Sequence, residues 1–311
     1  MINQNQWHKV SFLLLMLLSL VFPVSSLAAT LHAIIAIDTN DPSIGASVKI
    51  DLRNMQNLVA DIAQHTRLAT AGEAISGSRL TVGNVNKAVE SLSVGTDDVV
   101  IFYYSGHGFN PGGTKWPAMN LEDGDLGLKT VREKLRAKNP RLLIVMADTC
   151  NGFQNRGGFR FSKDAGKPNN YKVLFLKYRG VITASSSKPG QYSWGNERIG
   201  GLYTDAFLKS LNRELASKQK PTWKAVMERA NAPIQASGSL QEPQYKFQEL
   251  NYVEGGWTPP PPPPPTPDCR TPDCLPAPPS SAMGTCVGYF YEGEQECCRD
   301  KRGQKRCWMD D

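Results

Sequence analysis

Two short segments of this chain carry side chains able to do covalent chemistry. One is an apolar run that ends on a histidine, Val99-Val100-Ile101-Phe102-Tyr103-Tyr104-Ser105-Gly106-His107-Gly108. The other follows about forty residues later and ends on a cysteine, Leu142-Leu143-Ile144-Val145-Met146-Ala147-Asp148-Thr149-Cys150-Asn151-Gly152. Each reads as a buried strand broken at its carboxyl end by small and polar residues. Open α/β sheets bind ligands beyond the carboxyl ends of their strands. If the two strands are neighbours, an imidazole and a thiol share that crevice as a base and a nucleophile. A thiol near its free pKa of about 8.5 is mostly protonated at neutral pH, so it needs a base beside it. Of the four histidines, only His107 follows a strand and stands between glycines. His8 lies in the amino-terminal segment, His32 at a strand start and His65 at a helix end. The flanking glycines allow the backbone to approach a substrate closely. The backbone N–H groups of Gly108 and Cys150 are the natural donors to a developing oxyanion.

The elements that must position these residues alternate. Leu31 to Ile37 reads as a first strand. Ile50 to Ile62 reads as a helix with Leu52, Met55, Val59 and Ile62 on one face. Arg79 to Leu92 gives a second helix with Thr81 as N-cap, and Asp97 and Asp98 lead into the histidine strand. Leu128 to Leu135 is a third helix, stopped by Pro140 ahead of the cysteine strand. Tyr171 to Tyr178 and Gly180 to Ser185 read as further strands, and Leu202 to Leu215 and Trp223 to Ala230 as helices. The alternation predicts an α/β fold with a mainly parallel sheet covered by helices on both faces.

The 311 residues divide by composition. Residues 1–28 follow the pattern of a cleaved secretory signal: Lys9 in a polar start, an apolar stretch from Val10 to Val24, then Ser25-Ser26-Leu27-Ala28-Ala29. That stretch is short for a membrane span, which needs about 20 residues, and no later segment is long and apolar enough. The expected location is secreted or periplasmic. Residues 29–257 form the globular domain. Residues 258–268 hold seven consecutive prolines, a stiff polyproline spacer. Residues 269–311 hold six of the seven cysteines, Cys269, Cys274, Cys286, Cys297, Cys298 and Cys307. In a secreted chain they read as a small disulfide-rich module, with 15 possible connectivities. Zinc is disfavoured there because no histidine and no paired C-x-x-C occurs. Tyr289, Tyr291 and Trp308 supply either a binding face or the core of that module, and its partner is open. Cys150 is left without a companion. The net charge of +6 is scattered, which argues against a nucleic-acid partner.

Tyr104-Ser105-Gly106-His107-Gly108 with Asp148-Thr149-Cys150-Asn151-Gly152 resembles the caspase-like cysteine peptidases, and within them the metacaspase and bacterial orthocaspase branch. The resemblance spans about residues 30–250 and includes Leu80 to Gly108, Gly180 to Ser185 and Gly201 to Leu208. It implies the caspase–hemoglobinase fold, with His107 and Cys150 as a catalytic dyad. True caspases carry glutamine two positions before the cysteine and cut after aspartate. Here Asp148 stands at that position, and metacaspases use the matching acid to bind arginine or lysine. Ile50-Asp51-Leu52-Arg53-Asn54-Met55 aligns with the stretch holding their second pocket acid, so Asp51 carries over. Paired carboxylates suit a guanidinium. A helix-start charge is the plainer reading of Asp51, and a turn residue that of Asp148.

The resemblance therefore implies protein or peptide substrates with Arg or Lys before the scissile bond. Asn151-Gly152 departs from the family's His-Ser-Gly. No cofactor is expected. Many metacaspases need calcium, and Glu122, Asp123 and Asp125 form the nearest acidic cluster, without an EF-hand pattern. Relatives are often cut after a basic residue beyond the nucleophile, where Arg156, Arg160, Lys163 and Lys167 lie. Two other readings stand beside the peptidase: an idle caspase-like binding domain with a working tail, and an enzyme cutting after aspartate.

Overall fold

The computed structural model describes residues 29–150, 166–236 and 238–256, together with the backbone of three short strands between 286 and 308. The chain divides into two units, Met1–Pro260 and Pro261–Asp311. The amino-terminal 28 residues, Arg156, Arg160, Lys163 and the proline run lie outside the described residues.

The first unit is built on a six-stranded sheet. Its strands are β1 (Thr30–Ile37), β2 (Ala69–Ser76), β3 (Val99–Ser105), β7 (Leu142–Asp148), β8 (Tyr178–Ser185) and β13 (Gln244–Tyr252), in the order β13-β8-β7-β3-β1-β2. All neighbours are parallel except β13, which runs antiparallel to β8. Between them lie the short strands β4 (Gly108–Phe109), β5 (Ala118–Leu121) and β6 (Gly124–Gly127), an antiparallel three-stranded sheet, and two antiparallel pairs, β9 (Gly195–Asn196) with β10 (Gly200–Gly201) and β11 (Ile234–Ala236) with β12 (Ser239–Gln241). The helices are α1 (Gly45–Thr66), α2 (Val82–Ser91), α3 (Leu128–Arg136), α4 (Pro168–Leu176), α5 (Leu202–Ala216) and α6 (Trp223–Ala230).

Strand periodicity sorts the core into two layers. Ile35, Ile37, Ile101, Tyr103, Ile144 and Met146 face α1, α4, α5 and α6. Ile34, Ala36, Phe102, Tyr104, Val145 and Ala147 face α2 and α3. Because the sheet is covered on both faces, β3 and β7 read as unbroken apolar runs and not as alternating ones. Two threonines start helices: Thr81 Oγ1 accepts Asn84 N–H at 3.1 Å, and Thr222 Oγ1 accepts Ala225 N–H at 3.1 Å. His32 and Asp98 form a buried pair at the foot of the sheet, 2.9 Å apart.

The expected strand over Tyr171–Tyr178 is a helix as far as Leu176, and the strand begins at Tyr178. A short apolar run does not distinguish the two by itself. Pro168 occupies the first helical turn, where its missing N–H costs nothing. Asn170 docks the helix by donating to the carbonyls of Leu215 and Ser217, each at 2.9 Å. Two other strands of the six-stranded sheet escaped the sequence reading. The first half of β2 is exposed at the sheet edge, and β13 is half-exposed throughout.

In the second unit, β14 (Cys286–Glu292), β15 (Gln295–Asp300) and β16 (Lys305–Trp308) form an antiparallel sheet, with Cys297 opposite Cys307 in the backbone register. Cysteine pairing, and the side chains of Tyr289, Tyr291 and Trp308, lie outside the described residues.

The docking of α6 depends on Trp223, fully buried, with its indole N–H on Leu174 O at 2.9 Å and its ring edge-on to Phe175. Trp223→Ala should cost about 3–5 kcal/mol in urea unfolding. A loss below about 1 kcal/mol would contradict this packing.

Candidate active site

The parallel register sets Ser105 of β3 directly opposite Asp148 of β7. The segments that follow leave the sheet side by side, and Gly106 N–H donates to Asp148 O at 3.3 Å. His107 and Cys150 each come two residues after this matched pair, so both stand at the carboxyl ends of neighbouring strands. The two glycines beside His107 also allow a close approach within the protein itself. A Cβ at Gly106 would collide with the Tyr104 hydroxyl and Asp38, and one at Gly108 with the Thr149 hydroxyl and Ala118 O. They bring the histidine loop against the protein's own chain. The Tyr104 hydroxyl sits beneath that loop, 2.6 Å from His107 O and 2.7 Å from Asn120 O.

Cys150 is half-buried. Its sulfur lies 3.5 Å from Ser193 O and 3.4 Å from Ser193 N. Burial pushes the thiol up from its ordinary range; the Ser193 N–H opposes this and the Asp148 charge adds to it. The thiol is therefore neutral at pH 7 in this arrangement. Ser186 fixes the turn before it, accepting Thr149 N–H at 2.9 Å and lying 2.8 Å from Thr149 O.

Asp51 and Asp148 are brought together on the α1 face of the sheet. Asp51 lies well inside α1, on a stripe otherwise made of Val48, Met55, Leu58 and Ile62, and is fully buried. It is not a helix-start charge. Of the expected face, Met55 and Ile62 lie on this stripe, and Leu52 and Val59 flank it, partly buried and packed against the same core. Asp51 accepts from Ser105 Oγ at 2.7 Å and from Gly201 N at 3.0 Å. Asp148 is 5% exposed and accepts from Ser193 Oγ at 2.6 Å and from both the N–H and the hydroxyl of Thr204 at 2.8 Å. A side chain at Gly201 would strike Asp148 and crowd Asp51, so that glycine lies across both acids. Burial raises both carboxyls. The charge of Asp148 raises Asp51 further, against the hydrogen bonds from Ser105 and Gly201.

His107 has an acid neighbour that the sequence reading did not single out. Its Nε2 lies 3.3 Å from Asp41 Oδ2, at the carboxyl end of β1. Asp38, Asp41 and His107 bring polar side-chain atoms within 4.8 Å of one another.

A family model described as the caspase domain matches residues 45–252. The chain belongs to the caspase-domain family. Comparison with curated proteins returned no match. Among solved structures it is similar to caspase-1 from Spodoptera frugiperda, at 14% identity and a TM-score of 0.47, over 70% of this chain and 88% of that one. It is also similar to a Geobacter sulfurreducens protein, at 16% identity and a TM-score of 0.46, over 70% and 93% of the two chains.

Membership in the caspase-domain family makes the first unit a domain of the cysteine-peptidase class. Around its candidate site, the acidic stretch considered for calcium does structural work. Asp123 accepts Val82 N–H at 2.6 Å at the start of α2, and Asp125 accepts from Asn120 at 2.8 Å. A cavity of about 590 Å³ between α1 and α5 is lined by Arg53, Asn54, Asp61, Arg198 and Asp205. Its walls include neither Asp51 nor Asp148. Lys167, one of the basic residues considered for processing, is held ahead of α4, its N–H on Leu215 O at 2.9 Å and its ammonium on Ser217 O at 3.1 Å. Ser193 and Thr204 were missed at the sequence level; short polar residues in loops give no signal of which thiol or carboxylate they will meet. Among the described residues, no helix of this caspase domain is long and apolar enough to cross a membrane.

The buried acid pair makes a signed prediction about stability. Both folded-state carboxyls are raised, so between pH about 4 and their raised values the folded protein binds more protons than the unfolded chain. Stability then falls as pH rises through that window, and the penalty is fully present above it. Asp51→Asn removes one charge and keeps an acceptor for Gly201 N–H. Thermal melts should show it more stable than wild type at pH 8 by about 1 kcal/mol, or about 2–4 °C, with the gain shrinking toward pH 5. A lower melting temperature at pH 8 would contradict the strained-pair reading.

Proposed function

We propose that this caspase-domain protein is a secreted or periplasmic endopeptidase of the metacaspase and orthocaspase type. In this reading it cleaves after arginine or lysine, with Cys150 as nucleophile and His107 as base and then acid. The observation that carries the specificity is the buried pair Asp51 and Asp148, the second of them two residues from the thiol. Two carboxylates raised by burial, Asp51 further by the charge of Asp148, gain from a bound guanidinium or ammonium, which favours their negative charges. An aspartate side chain at the same place meets only repulsion.

The reaction follows from the neutral thiol. His107 takes the Cys150 proton as the sulfur attacks the scissile carbonyl carbon. The backbone N–H groups of Gly108 and Cys150 are the proposed donors to the oxyanion. The carbon–nitrogen bond breaks, and the imidazolium gives its proton to the departing amine. Water, losing a proton to His107, then attacks the thioester; the acid product leaves and the proton returns to sulfur. Ser193 connects selection to chemistry, since its main chain brackets the thiol while its hydroxyl donates to Asp148. The polar start, apolar stretch and small residues over 1–29 support export.

Residues 29–311, produced with disulfides formed, should turn over fluorogenic peptides ending in Arg or Lys, and Cys150→Ala should abolish the signal. Turnover of an Asp peptide alone would overturn the pocket assignment. Turnover retained in Cys150→Ala would overturn the nucleophile.

A further inference from the structure

We infer that Asp41 is the positioning residue of His107: its carboxylate holds the imidazole in the tautomer that leaves Nδ1 as the base for the Cys150 thiol. This inference rests on the reading of His107 and Cys150 as base and nucleophile.

The geometry is built by the turn that follows β1. Asp38 N–H donates to Ser105 O at 3.0 Å, tying the end of β1 to the end of β3. The chain then turns through Asp41-Pro42-Ser43-Ile44 into α1, with proline in the place that favours a turn. One oxygen of Asp41, Oδ1, accepts from Ser43 N at 2.7 Å, Ser43 Oγ at 2.5 Å and Ile44 N at 3.1 Å. Its carbonyl accepts Gly45 N–H at 2.8 Å, which opens the helix. The carboxylate is thus locked in place by its own turn, and Oδ2 is presented to His107 Nε2 at 3.3 Å.

A carboxylate only accepts, so the proton of the neutral ring belongs on Nε2 and the lone pair on Nδ1. Ser43 Oγ, 3.5 Å from the same nitrogen, is already committed to Asp41. The second acid has another task. Asp38 accepts the backbone N–H of His107 and that of Asp41, and burial together with the Asp41 charge pushes it up. Burial also acts to raise Asp41, but the Ser43 hydroxyl and backbone, His107 and Ile44 outweigh it and hold this carboxyl below the ordinary range. Of the two acids, Asp41 is the one whose carboxylate oxygen faces the ring nitrogen.

His107 and Asp41 are about 30% and 26% exposed, and a pair so open to water gains little from attraction alone. The effect expected is on orientation and tautomer, and therefore on rate. The same turn starts the helix that carries Asp51, so the base and the acid pair share one support.

Asp41→Asn is the informative variant, because its side-chain oxygen still accepts from Ser43 and Ile44 while its amide no longer fixes the tautomer. The full chain should be compared as wild type, Asp41→Asn, His107→Ala and the double variant, with Cys150→Ala as a control. Two readouts are needed: kcat and KM on an Arg peptide, and the iodoacetamide alkylation rate of Cys150 followed by mass spectrometry. The inference expects Asp41→Asn to lower kcat at least about tenfold with KM within about twofold. It should slow alkylation at least about threefold when His107 is present, and change it less than about 1.5-fold in the His107→Ala background. An unchanged kcat, or the same slowing of alkylation with and without His107, overturns the inference. Wild-type turnover in Cys150→Ala or His107→Ala would instead overturn the underlying dyad and show itself separately.

Discussion

The pairing of β3 with β7, parallel and in register from Val99–Leu142 to Ser105–Asp148, is the constraint on which the rest of this site depends. Strand side chains alternate with period two, so a slip of one residue would send Asp148 to the opposite face of the sheet. In the observed register, Ser105 and Asp148 share the face that α1 covers, where Ser105 reaches Asp51. The same register ends both strands at one height, so the histidine and cysteine segments leave the sheet together. A third strand, β1, ends beside them, and Asp38 N–H on Ser105 O fixes that junction. β1 connects through α1 to β2 on one side, whereas β3 leads toward β7 on the other. The site thus lies where the strand order diverges, the place at which open α/β sheets form a crevice.

Burying two carboxylates together is costly, and this fold accepts that cost with polar partners. Ser105, Ser193, Thr204 and the Gly201 N–H supply hydrogen bonds to the pair. Those bonds do not cancel the desolvation, and both groups remain raised. Position 51 lies on the buried stripe with Met55 and Ile62, where an apolar residue would avoid that cost. On the proposed function, the strain is released when a basic side chain arrives, so binding energy comes from a defect stored by folding. Ser193 touches both the thiol and Asp148, and on the same proposal it links the selecting group to the reacting one.

Much of this was legible from residue order, for identifiable reasons. The runs ending at His107 and Cys150 are continuously apolar because their strands are buried on both faces. Thr81 and the helix over Trp223–Ala230 carried clear local signals. Tyr171–Tyr178 misled because a largely apolar octet fits either a buried strand or a buried helix, and what decided it was remote: the carbonyls of Leu215 and Ser217 that Asn170 caps. β2 and β13 were hidden because edge strands bury too little to show a pattern. On α1 the expected face is buried at Met55 and Ile62, with Leu52 and Val59 packed beside them, and Asp51 occupies a core site next to that face that periodicity assigns to an apolar residue; this departure from pattern was itself the signal. Asp41 read as part of a turn, and nothing in the order of residues said that the turn would fold back onto a histidine 66 positions later. Such meetings are decided by strand order, which the sequence does not write locally.

The central claim is that one thiol and one acid pair act together on a basic side chain. Labelling tests it most directly: the protein is incubated with a peptide chloromethyl ketone ending in arginine and, separately, with one ending in aspartate, and the modified residue is located by mass spectrometry. The account predicts an adduct on Cys150 from the arginine reagent, formed much faster than any from the aspartate reagent. An adduct on another residue, or equal labelling by both reagents, would contradict it.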